Sequence, residues 1–221
     1  RRLAEVGLTT REACGNTVRN VTAAPSAGVD PKEPFDVTPY AHAFAYHMLR
    51  NPICQNLGRK FKVAFDGDGV FTAYPKIHDI GLIARIRATN GHGERGFQVT
   101  VGGGLGSSAR IGKLLHEFLP VEELLPWGEA ILRVFDRYGE RKVRMKARMK
   151  FLVEKVGFDQ FRKWVEEERA SLVVPPEWND YLDHLDDWIE TPPVVDEQSV
   201  RKAPETPEFV DWKKTNVWPQ K

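Results

Sequence analysis

The chain has 221 residues and a mass of 25.1 kDa, which is enough for one domain with an appendage or for two small domains. Hydrophobic residues make up 41% and charged residues 29%, so fibrous and wholly disordered classes are excluded. The 32 basic and 31 acidic residues leave a formal charge of +1, so any electrostatic function requires local clustering. No apolar run reaches the roughly 20 residues of a membrane helix, and the first residues show no secretory signal. We therefore expect a cytoplasmic protein with no nucleic-acid or membrane partner.

Two cysteines, Cys14 and Cys54, lie far apart in the sequence. Neither belongs to a C-x-x-C pair or has a histidine at the spacing of a zinc site, so neither a disulfide framework nor a metal site is expected. A protein-held iron–sulfur cluster normally takes four cysteine ligands, which this chain does not contain. We predict that both thiols are small buried side chains and that the chain contributes no metal ligand.

The first part of the chain predicts little regular structure before one clear helix. Residues 1–20 predict a strand or loop that leads into a short polar helix. The prolines and glycines of residues 24–39 predict a loop. Thr38 is placed to cap a helix over residues 39–50, which begins with a proline and ends at an Asn-Pro pair.

Three segments that follow have the composition of strands. Residues 61–65 are short and rich in aromatic and β-branched side chains, and the Asp-Gly repeat at 66–69 predicts a turn after them. Residues 80–89 and 97–101 flank the glycine-rich stretch 90–96, which predicts two antiparallel strands joined by a loop. These segments predict a meander.

The hydrophobic period changes to that of a helix after the glycine run at 102–104. Helices are predicted over residues 109–118, 126–138 and 158–170. Residues 141–157 are ambiguous, because apolar and basic residues alternate there as in a strand, whereas lysine, arginine, methionine and alanine are strong helix formers. We predict a helix for this segment.

Beyond Val173, prolines and acidic residues interrupt every regular pattern. We predict an extended linker or arm in this region. Its aromatic side chains Phe209, Trp188, Trp212 and Trp218 indicate that parts of the arm pack against another surface.

Positive charge is clustered at Arg19, over residues 59–62 and in the six basic residues of 141–150. In the predicted strand, Lys60 and Lys62 point to one side while the residue between them enters the core. Neighbouring ammonium groups repel each other unless an anion joins them, so this pair indicates a site for a small oxyanion or for cofactor carboxylates, with the lysines as proton donors. The structural alternatives are a solvated edge strand guarded by lysines, which these residues alone favour, and an ordinary charged helix face.

The glycine run also permits a dinucleotide-binding loop, because residues 104–109 fit the pattern G-x-G-x-x-A. The preceding strand belongs to a predicted hairpin instead of a βαβ unit, and no acidic residue follows a second parallel strand. A nicotinamide-binding domain therefore stands only as an alternative. In either case the run indicates a tight turn or a close approach of backbone to a flat or anionic group.

Several motifs occur in an order and spacing that are specific as a set. They are Gly7-Leu8-Thr9-Thr10, Ala13-Cys14-Gly15-Asn16-Thr17-Val18-Arg19-Asn20-Val21-Thr22, Phe35-Asp36-Val37-Thr38-Pro39-Tyr40-Ala41, Arg59-Lys60-Phe61-Lys62-Val63-Ala64, Val101-Gly102-Gly103-Gly104-Leu105-Gly106 and Ala147-Arg148-Met149-Lys150-Phe151-Leu152. Together they resemble the siroheme-containing nitrite/sulfite reductase family over most of the chain.

The resemblance implies an α+β fold with a mixed, largely antiparallel sheet and helices packed on it. Members of the family have two similar halves, with siroheme held between them and a [4Fe–4S] cluster bound through a shared cysteine sulfur. By this resemblance, residues 1–174 are the siroheme domain of the first half, residues 175–208 are a connecting arm and residues 209–221 are the truncated start of the second half. We therefore expect the chain to be a fragment.

By the same resemblance, Arg19, Lys60 and Lys62 line the distal face of siroheme, hold sulfite or nitrite and help to protonate it during six-electron reduction. The residues themselves agree with this role, because an anion that loses oxygen as water needs positive charge and proton donors in a closed site. The resemblance implies cofactor contacts for a second set, which is mostly cations suited to the siroheme carboxylates: Asn16, Arg59, Gly103, Gly104, Lys146, Arg148 and Lys150.

The chain also departs from the family pattern. The cysteines of the cluster belong to the second half and are missing, as is a further distal arginine from the preceding ferredoxin-like piece, so we expect the 221-residue chain alone to be inactive. Gly58 stands where proline is usual, and Ala24 where cysteine is common. The expected partners are a small inorganic anion, the missing second half and a ferredoxin or flavoprotein donor. The alternative is a non-catalytic tetrapyrrole- or anion-binding module.

Overall fold

The structure is a computed structural model that describes residues 2–6, 10, 12–67, 72–89, 92–106, 108–185 and 206–217. The start of the first motif, at 7–9, the end of the predicted turn, at 68–69, and the first two residues of the predicted glycine-rich loop, at 90–91, lie outside these residues, as do Trp188 and Trp218. None of the described helices is long and apolar enough to cross a membrane.

A five-stranded mixed sheet forms the frame of the fold, with its strands in sequence order. They are β1 (Val18–Thr22), β2 (Phe61–Asp66), β3 (Ile80–Thr89), β4 (His92–Val101) and β5 (Lys113–Pro120). The first three strands are parallel to one another, whereas β4 and β5 each run antiparallel to the strand before them. The longest pairing is the β3–β4 hairpin, which extends from the pair Ile80–Val101 to the pair Thr89–His92.

The described helices precede, interrupt and follow this sheet. They are α1 (Arg2–Glu5), α2 (Thr38–Met48), α3 (Leu124–Tyr138), α4 (Met149–Val156), α5 (Phe158–Ser171), α6 (Glu177–Asp183) and α7 (Pro207–Asn216). This arrangement confirms the α+β class and the mixed sheet with helices packed on it. It also confirms the strands predicted at 61–65, 80–89 and 97–101 and the helices predicted at 126–138 and 158–170. The loop predicted at 90–96 is wrong for residues 92–96, which belong to β4, and the predicted meander does not include β2, which is parallel to β3.

The core lies between the sheet and helices α2 and α3, and aromatic rings join these elements. Phe61 of β2 lies 5.7 Å from Phe135 of α3, measured between ring centroids. Phe65 lies 6.0 Å from Phe44 of α2 and 5.5 Å from Phe97 of β4, both nearly edge to face. All five rings are at most 1% exposed. Buried aromatic contacts of this kind fix the position of each strand along its neighbours.

The helix predicted over residues 109–118 is wrong, because this part of the chain forms β5. Its register against β4 shifts twice, so β5 contains extra residues that no residue of β4 faces. These irregularities disturb the alternation of a strand, and the buried side chains Leu115 and Leu119 are four residues apart, as they would be in a helix. The apolar spacing therefore indicated the wrong element.

The helix predicted over residues 141–157 forms only in its second part, as α4. The first part contains a single 3₁₀ turn, Arg144–Lys146, and α4 begins at Met149. Arg148, immediately before α4, has an extended backbone, and its side chain is bound to a buried carboxylate. That tertiary contact overrides the helix propensity of the segment.

Three further predictions near the ends of elements are corrected. The short helix in residues 1–20 precedes the strand, because α1 comes before β1. Thr38 lies inside α2 and does not cap it, since its amide donates to Asp36 Oδ1 at 2.8 Å and the aspartate satisfies the helix end. The arm after Val173 contains the helices α6 and α7.

The two helices that the structure describes in the arm differ in their packing. In α6, the Trp178 ring lies 4.2 Å from the ring of His47 on α2, so this helix packs on the domain. In α7, Trp212 is 53% exposed and stacks on Phe209 at 5.8 Å. The prediction that Phe209 and Trp212 pack against another surface is therefore wrong, because these two rings stack on each other and Trp212 is exposed, whereas Trp178, which the prediction did not name, packs on the domain.

A buried carboxylate joins α2, α3 and the segment between α2 and β2. Glu129 of α3 is 2% exposed and accepts hydrogen bonds from Asn51 Nδ2 at 2.7 Å and Arg133 Nε at 3.0 Å. His47 Nε2 lies 3.6 Å from the same carboxylate. Burial disfavours the charged form of Glu129, but these neighbours outweigh burial, so the pKa of Glu129 lies below its ordinary value.

We expect Glu129→Gln to lower the free energy of unfolding by about 2 kcal/mol, because it replaces the buried carboxylate that accepts hydrogen bonds from Asn51 and Arg133. Urea denaturation followed by circular dichroism measures this loss. Because the pKa of Glu129 is depressed in the folded state, its stabilisation is present above about pH 4.5 and disappears as the pH falls through the folded value. Glu167→Gln is the control: Glu167 is exposed and pairs with Lys163, so we expect a loss below about 1 kcal/mol. Equal losses in the two variants would contradict the structural role of Glu129.

Candidate functional site

The predicted distal cations meet at one end of the first two strands. Val18 of β1 pairs with Phe61 of β2 and Asn20 pairs with Lys62, so the register shifts at Arg19 between them. A bulge of this kind changes the direction of the extra side chain. Arg19 is therefore the irregular residue of β1 beside the start of β2, where Lys60 and Lys62 lie.

Phe61 fixes the start of β2. Its side chain has no exposed surface, whereas Lys60 and Lys62 are half-buried on either side of it in sequence. The Phe61 amide donates to Thr17 O at 2.9 Å, and the Leu57 amide donates to Asn16 O at 2.8 Å. Burial of one ring and two backbone bonds thus hold the lysine-bearing segment against the start of β1. Asn16 takes part through its backbone carbonyl.

Gly58 lies in the same segment, close to the chain that follows α3. A Cβ atom at this position would lie 2.8 Å from the carbonyl oxygen of Glu140. A side chain cannot be added there unless one of the two backbones moves. The contact explains why the residue before Arg59 is a glycine in this chain.

The four cations Arg19, Arg59, Lys60 and Lys62 are not neutralised by the described part of the protein. None of them forms an ion pair with a described carboxylate; the polar contact of the Arg19 side chain is with Cys14 Sγ, at 3.9 Å. Partial burial, followed by the positive charges of Arg19, Arg148, Lys62 and Arg59, lowers the pKa of Lys60. Burial, Arg144 and Arg19 lower the pKa of Arg59 in the same way. An anion at this place would relieve the repulsion.

Arg148, in contrast, has a counter-ion within the domain. Asp79, the residue before β3, is fully buried, and its carboxylate binds Arg148 through Nη2 at 2.7 Å and Nε at 3.2 Å. Asp79 also forms two hydrogen bonds with the backbone of Lys62. The Lys62 amide donates to Asp79 Oδ2, and the Asp79 amide donates to Lys62 O, both at 3.0 Å. Burial raises the pKa of Asp79 to about 6, against the opposing effect of Arg148.

Lys150 also has partners within the domain. Its Nζ atom donates to Leu105 O at 3.0 Å and to Ser108 O at 2.5 Å, and the side chain is 4% exposed. These bonds hold the loop that follows the glycine run. A Cβ atom on Gly104 would lie 3.2 Å from Lys150 Cδ, so Gly104 provides the space for this lysine.

Gly103 is required by contacts inside the fold. A Cβ atom there would collide with the carbonyl oxygens of Lys76 and His78. After the loop, Gly104 bridges to Arg110, and the next element is strand β5. A dinucleotide-binding loop needs a helix at this place, whose N-terminus receives the pyrophosphate, so the structure excludes the nicotinamide alternative.

Lys146 lines a cleft to which none of the four unpaired cations contributes. It is exposed in the 3₁₀ turn Arg144–Lys146 and lines a cleft of about 400 Å³ with Tyr138, Phe151 and Arg110. Arg144 of the same turn is near the unpaired cations, since its charge acts on Arg59. The basic segment 141–150 therefore divides among three environments and does not form one charged helix face.

The described cysteines have no ligand partners. Cys14 is exposed, which corrects the prediction that it is buried, and Cys54 is fully buried. Burial is the main cause that raises the pKa of Cys54 to about 12, as expected of an inert thiol. Among the described residues, no group of three or more His, Cys, Asp or Glu converges in a way that could hold a metal ion.

Sequence reasoning missed Asp79 and Arg144 as members of this site. Asp79 is a single acidic residue before a strand and has no motif of its own. The one signal in the sequence is its position. Asp79 directly precedes the apolar run that begins at Ile80, and a charge that is buried at such a place requires a partner.

The electrostatic coupling within the site is testable on one lysine. We expect the pKa of Lys60 to rise in the Arg19→Gln variant, because a neighbouring positive charge that lowers it is removed. Reductive methylation with ¹³C-formaldehyde makes lysine pKa values measurable by NMR titration, and a Lys60→Arg variant assigns the signal. Arg169→Gln is the control, since Arg169 of α5 pairs with Glu123, which directly precedes α3. A Lys60 signal that titrates identically in wild type and Arg19→Gln would show that the two residues are not coupled.

Comparison with known proteins places these observations in a family. Residues 14–172 match the model of the nitrite and sulphite reductase 4Fe-4S domain. The chain is 35% identical over 168 residues to sulfite reductase [ferredoxin] 1 of Mycolicibacterium paratuberculosis, an alignment that covers 76% of this chain and 29% of that protein. It is 34% identical over 183 residues to the assimilatory ferredoxin-dependent nitrite reductase of Haloferax mediterranei, covering 82% and 31%.

A solved structure agrees with the sequence matches. The structure of the Mycobacterium tuberculosis NirA protein superposes with a TM-score of 0.67 at 33% identity, and the match covers 80% of this chain and 32% of that one. The chain thus spans about a third of the length of the relatives that it matches. On the family match over residues 14–172, together with these identities, the chain belongs to the nitrite and sulphite reductase 4Fe-4S domain family.

Proposed function

We propose that this chain is the first siroheme-binding part of a reductase that converts sulfite to sulfide or nitrite to ammonia in a six-electron reaction. The relatives that it resembles are named as ferredoxin-dependent sulfite and nitrite reductases, and we extend both the reaction and the ferredoxin donor to the intact protein by that likeness. In this proposal residues 1–174 form the siroheme domain, 175–208 the arm and 209–221 the start of a second half.

One observation carries the proposal: Arg19, Arg59, Lys60 and Lys62 converge at the start of β1 and β2, and none of them forms an ion pair with a described carboxylate. Lysines that only guard a solvated edge need no such cluster, whereas here β2 lies inside the sheet and both burial and the neighbouring cations lower the pKa of Lys60. Their arrangement fits an anion that the isolated domain does not provide.

The residues of the site fit siroheme in part. Unpaired cations suit a macrocycle that carries many carboxylates, and we propose Arg59, Lys146 and the Asn16 segment as its contacts. Gly103, Gly104, Arg148 and Lys150 have partners inside the domain, so we propose that they support the site from behind. Siroheme would supply the iron at which the anion is reduced. The described residues do not fit a [4Fe–4S] cluster, so we place the cluster ligands outside them.

The chain's own residues would bind the anion and deliver protons. Lys60 and Lys62 hold it by charge and hydrogen bonds, and Arg19 fixes its orientation through a fork that stays protonated. The lowered pKa of Lys60 makes its ammonium group a stronger acid than an ordinary lysine. Lys60 is therefore the donor that we assign to the oxygen that leaves as water, and Lys62 is the second donor.

The test is an absorption spectrum of the intact protein, produced with siroheme biosynthesis, before and after addition of sulfite or nitrite. We expect siroheme bands that move with the anion, and smaller movements in Lys60→Ala and Lys62→Ala. Loss of a proton donor typically costs two or more orders of magnitude, so we expect turnover to fall by about 100-fold in each variant.

Lys113→Ala is the matched control, because Lys113 is an exposed lysine on β5, at the opposite edge of the sheet. It removes the same charge and should leave bands and turnover unchanged. A colourless but folded intact protein would overturn the reductase proposal and favour a non-catalytic anion-binding module. Full turnover in both lysine variants would overturn the assigned roles of the lysines.

A further inference from the structure

The buried carboxylate of Asp79 is a part of the site that substrate binding and proton donation leave unexplained. Asp79 is fully buried, and it is hydrogen-bonded to the backbone of Lys62, whose side chain is one of the unpaired cations. Arg148 holds both of its oxygens, and the Lys62 backbone binds it through both its amide and its carbonyl. The carbonyl of Asp79 accepts the Gly102 amide at 2.9 Å. One residue thus ties β2, the glycine run and the start of α4 together.

The charged and titratable groups around Asp79 come from β2, from the segment before α4 and from the residue that precedes it. Lys62 on β2 and Arg148 before α4 act on it directly, and no described carboxylate is among the charges that shift it. His78, its neighbour in sequence, is the other titratable group here; burial lowers the pKa of His78, as do the charges of Lys62 and Arg148. Asp79 is therefore the negative charge set against this group of cations.

We propose that Asp79 couples proton uptake to anion binding: when an anion binds at Arg19, Lys60 and Lys62, Asp79 takes up a proton from solvent and keeps the charge of the site nearly constant. The proposal rests on the proposed function, because the anion is the substrate of that same site. Asp79 is a positioning residue in this account and does not touch the anion. The step adds one proton to a carboxylate and involves no redox change.

The physical basis is reciprocity between two ligands, the anion and the proton. A negative charge on Asp79 weakens anion binding, so a bound anion must raise the proton affinity of Asp79 by the same factor. The pKa of Asp79 already lies at about 6, so a further rise brings protonation close to neutral pH. Arg148 then loses its counter-charge and adds to the positive field that holds the anion.

The sign of the pH effect follows from this linkage. Below the pKa of Asp79 the carboxyl is neutral and the anion binds tightly. As the pH rises through that value the carboxylate forms, and we expect the Kd of the anion to increase by about tenfold. Nitrite is a suitable probe, because it keeps a single negative charge between about pH 5 and pH 8.

The experiment is calorimetric titration of the intact siroheme-loaded protein with nitrite, in two buffers of different ionisation enthalpy. The difference in heat between the buffers gives the number of protons taken up on binding, without any measurement of turnover. For the wild type we expect proton uptake near pH 6 to 7 and a Kd that rises with pH. Asp79→Asn should take up no proton, and at neutral pH it should bind nitrite more tightly than the wild type.

Two further variants keep the test decisive. Glu94→Gln removes a carboxylate that pairs with Arg87 across the β3–β4 hairpin, and it should retain the proton uptake of the wild type. His78→Gln removes the competing titratable group and should also retain it. If Asp79→Asn fails to fold, the wild type and His78→Gln still decide the matter, because uptake that is absent in the wild type or lost in His78→Gln overturns the proposal.

The two proposals fail in different ways. If nitrite does not bind to the wild type at all, the proposed function is overturned and this inference falls with it. If nitrite binds with no proton uptake, or if Asp79→Asn takes up as many protons as the wild type, only the role of Asp79 is overturned. Uptake that disappears in Asp79→Asn alone supports the coupling.

Discussion

Repulsion between like charges is the constraint on which this structure depends. Four half-buried cations lie within reach of one another's fields, and none of them forms an ion pair with a described carboxylate. Such an arrangement persists only if the backbone around it is held by stronger contacts elsewhere. Full burial of Phe61 against Phe135 and the backbone bonds to residues 16 and 17 provide those contacts. The hydrophobic core thus maintains a site that is electrostatically unfavourable when empty.

The domain treats its basic residues in two different ways, although they are of the same type in sequence. Arg148 is bound by a buried carboxylate and Lys150 by loop carbonyls, and these contacts hold the segment before β3 and the loop after the glycine run in place. Lys60 and Lys62 form no ion pair with a described carboxylate. The division follows from burial. A cation that is mostly removed from water must be paired inside the protein, whereas a half-buried cation remains partly hydrated and is stable without an internal partner. Composition alone does not separate the two groups.

Sequence patterns predicted most of the frame because the frame depends on local periodicity. The alternation in β3 and β4 and the helical spacing in α3 and α5 are local properties, and all four elements were predicted. β5 was not, because two register shifts imitate the spacing of a helix. In the site, Arg19, Lys60 and Lys62 were predicted to act together, and the structure brings them together. Asp79 and the internal pairing of Arg148 were not predicted, since they join positions 69 residues apart and leave no local pattern.

The close contact at Gly58 has a consequence for exchange between relatives. The backbone at Gly58 touches the carbonyl of Glu140, so these two segments fit each other as a pair. If a bulkier residue stood before the Arg-Lys-Phe-Lys motif of this chain, either its own backbone or the backbone at Glu140 would have to move. A chimaera that exchanges one segment without the other would therefore force one of the two backbones to move, and the segment before the lysines is one of them. The segment after α3, remote in sequence from those lysines, thus restricts which residue can precede Arg59 in this domain.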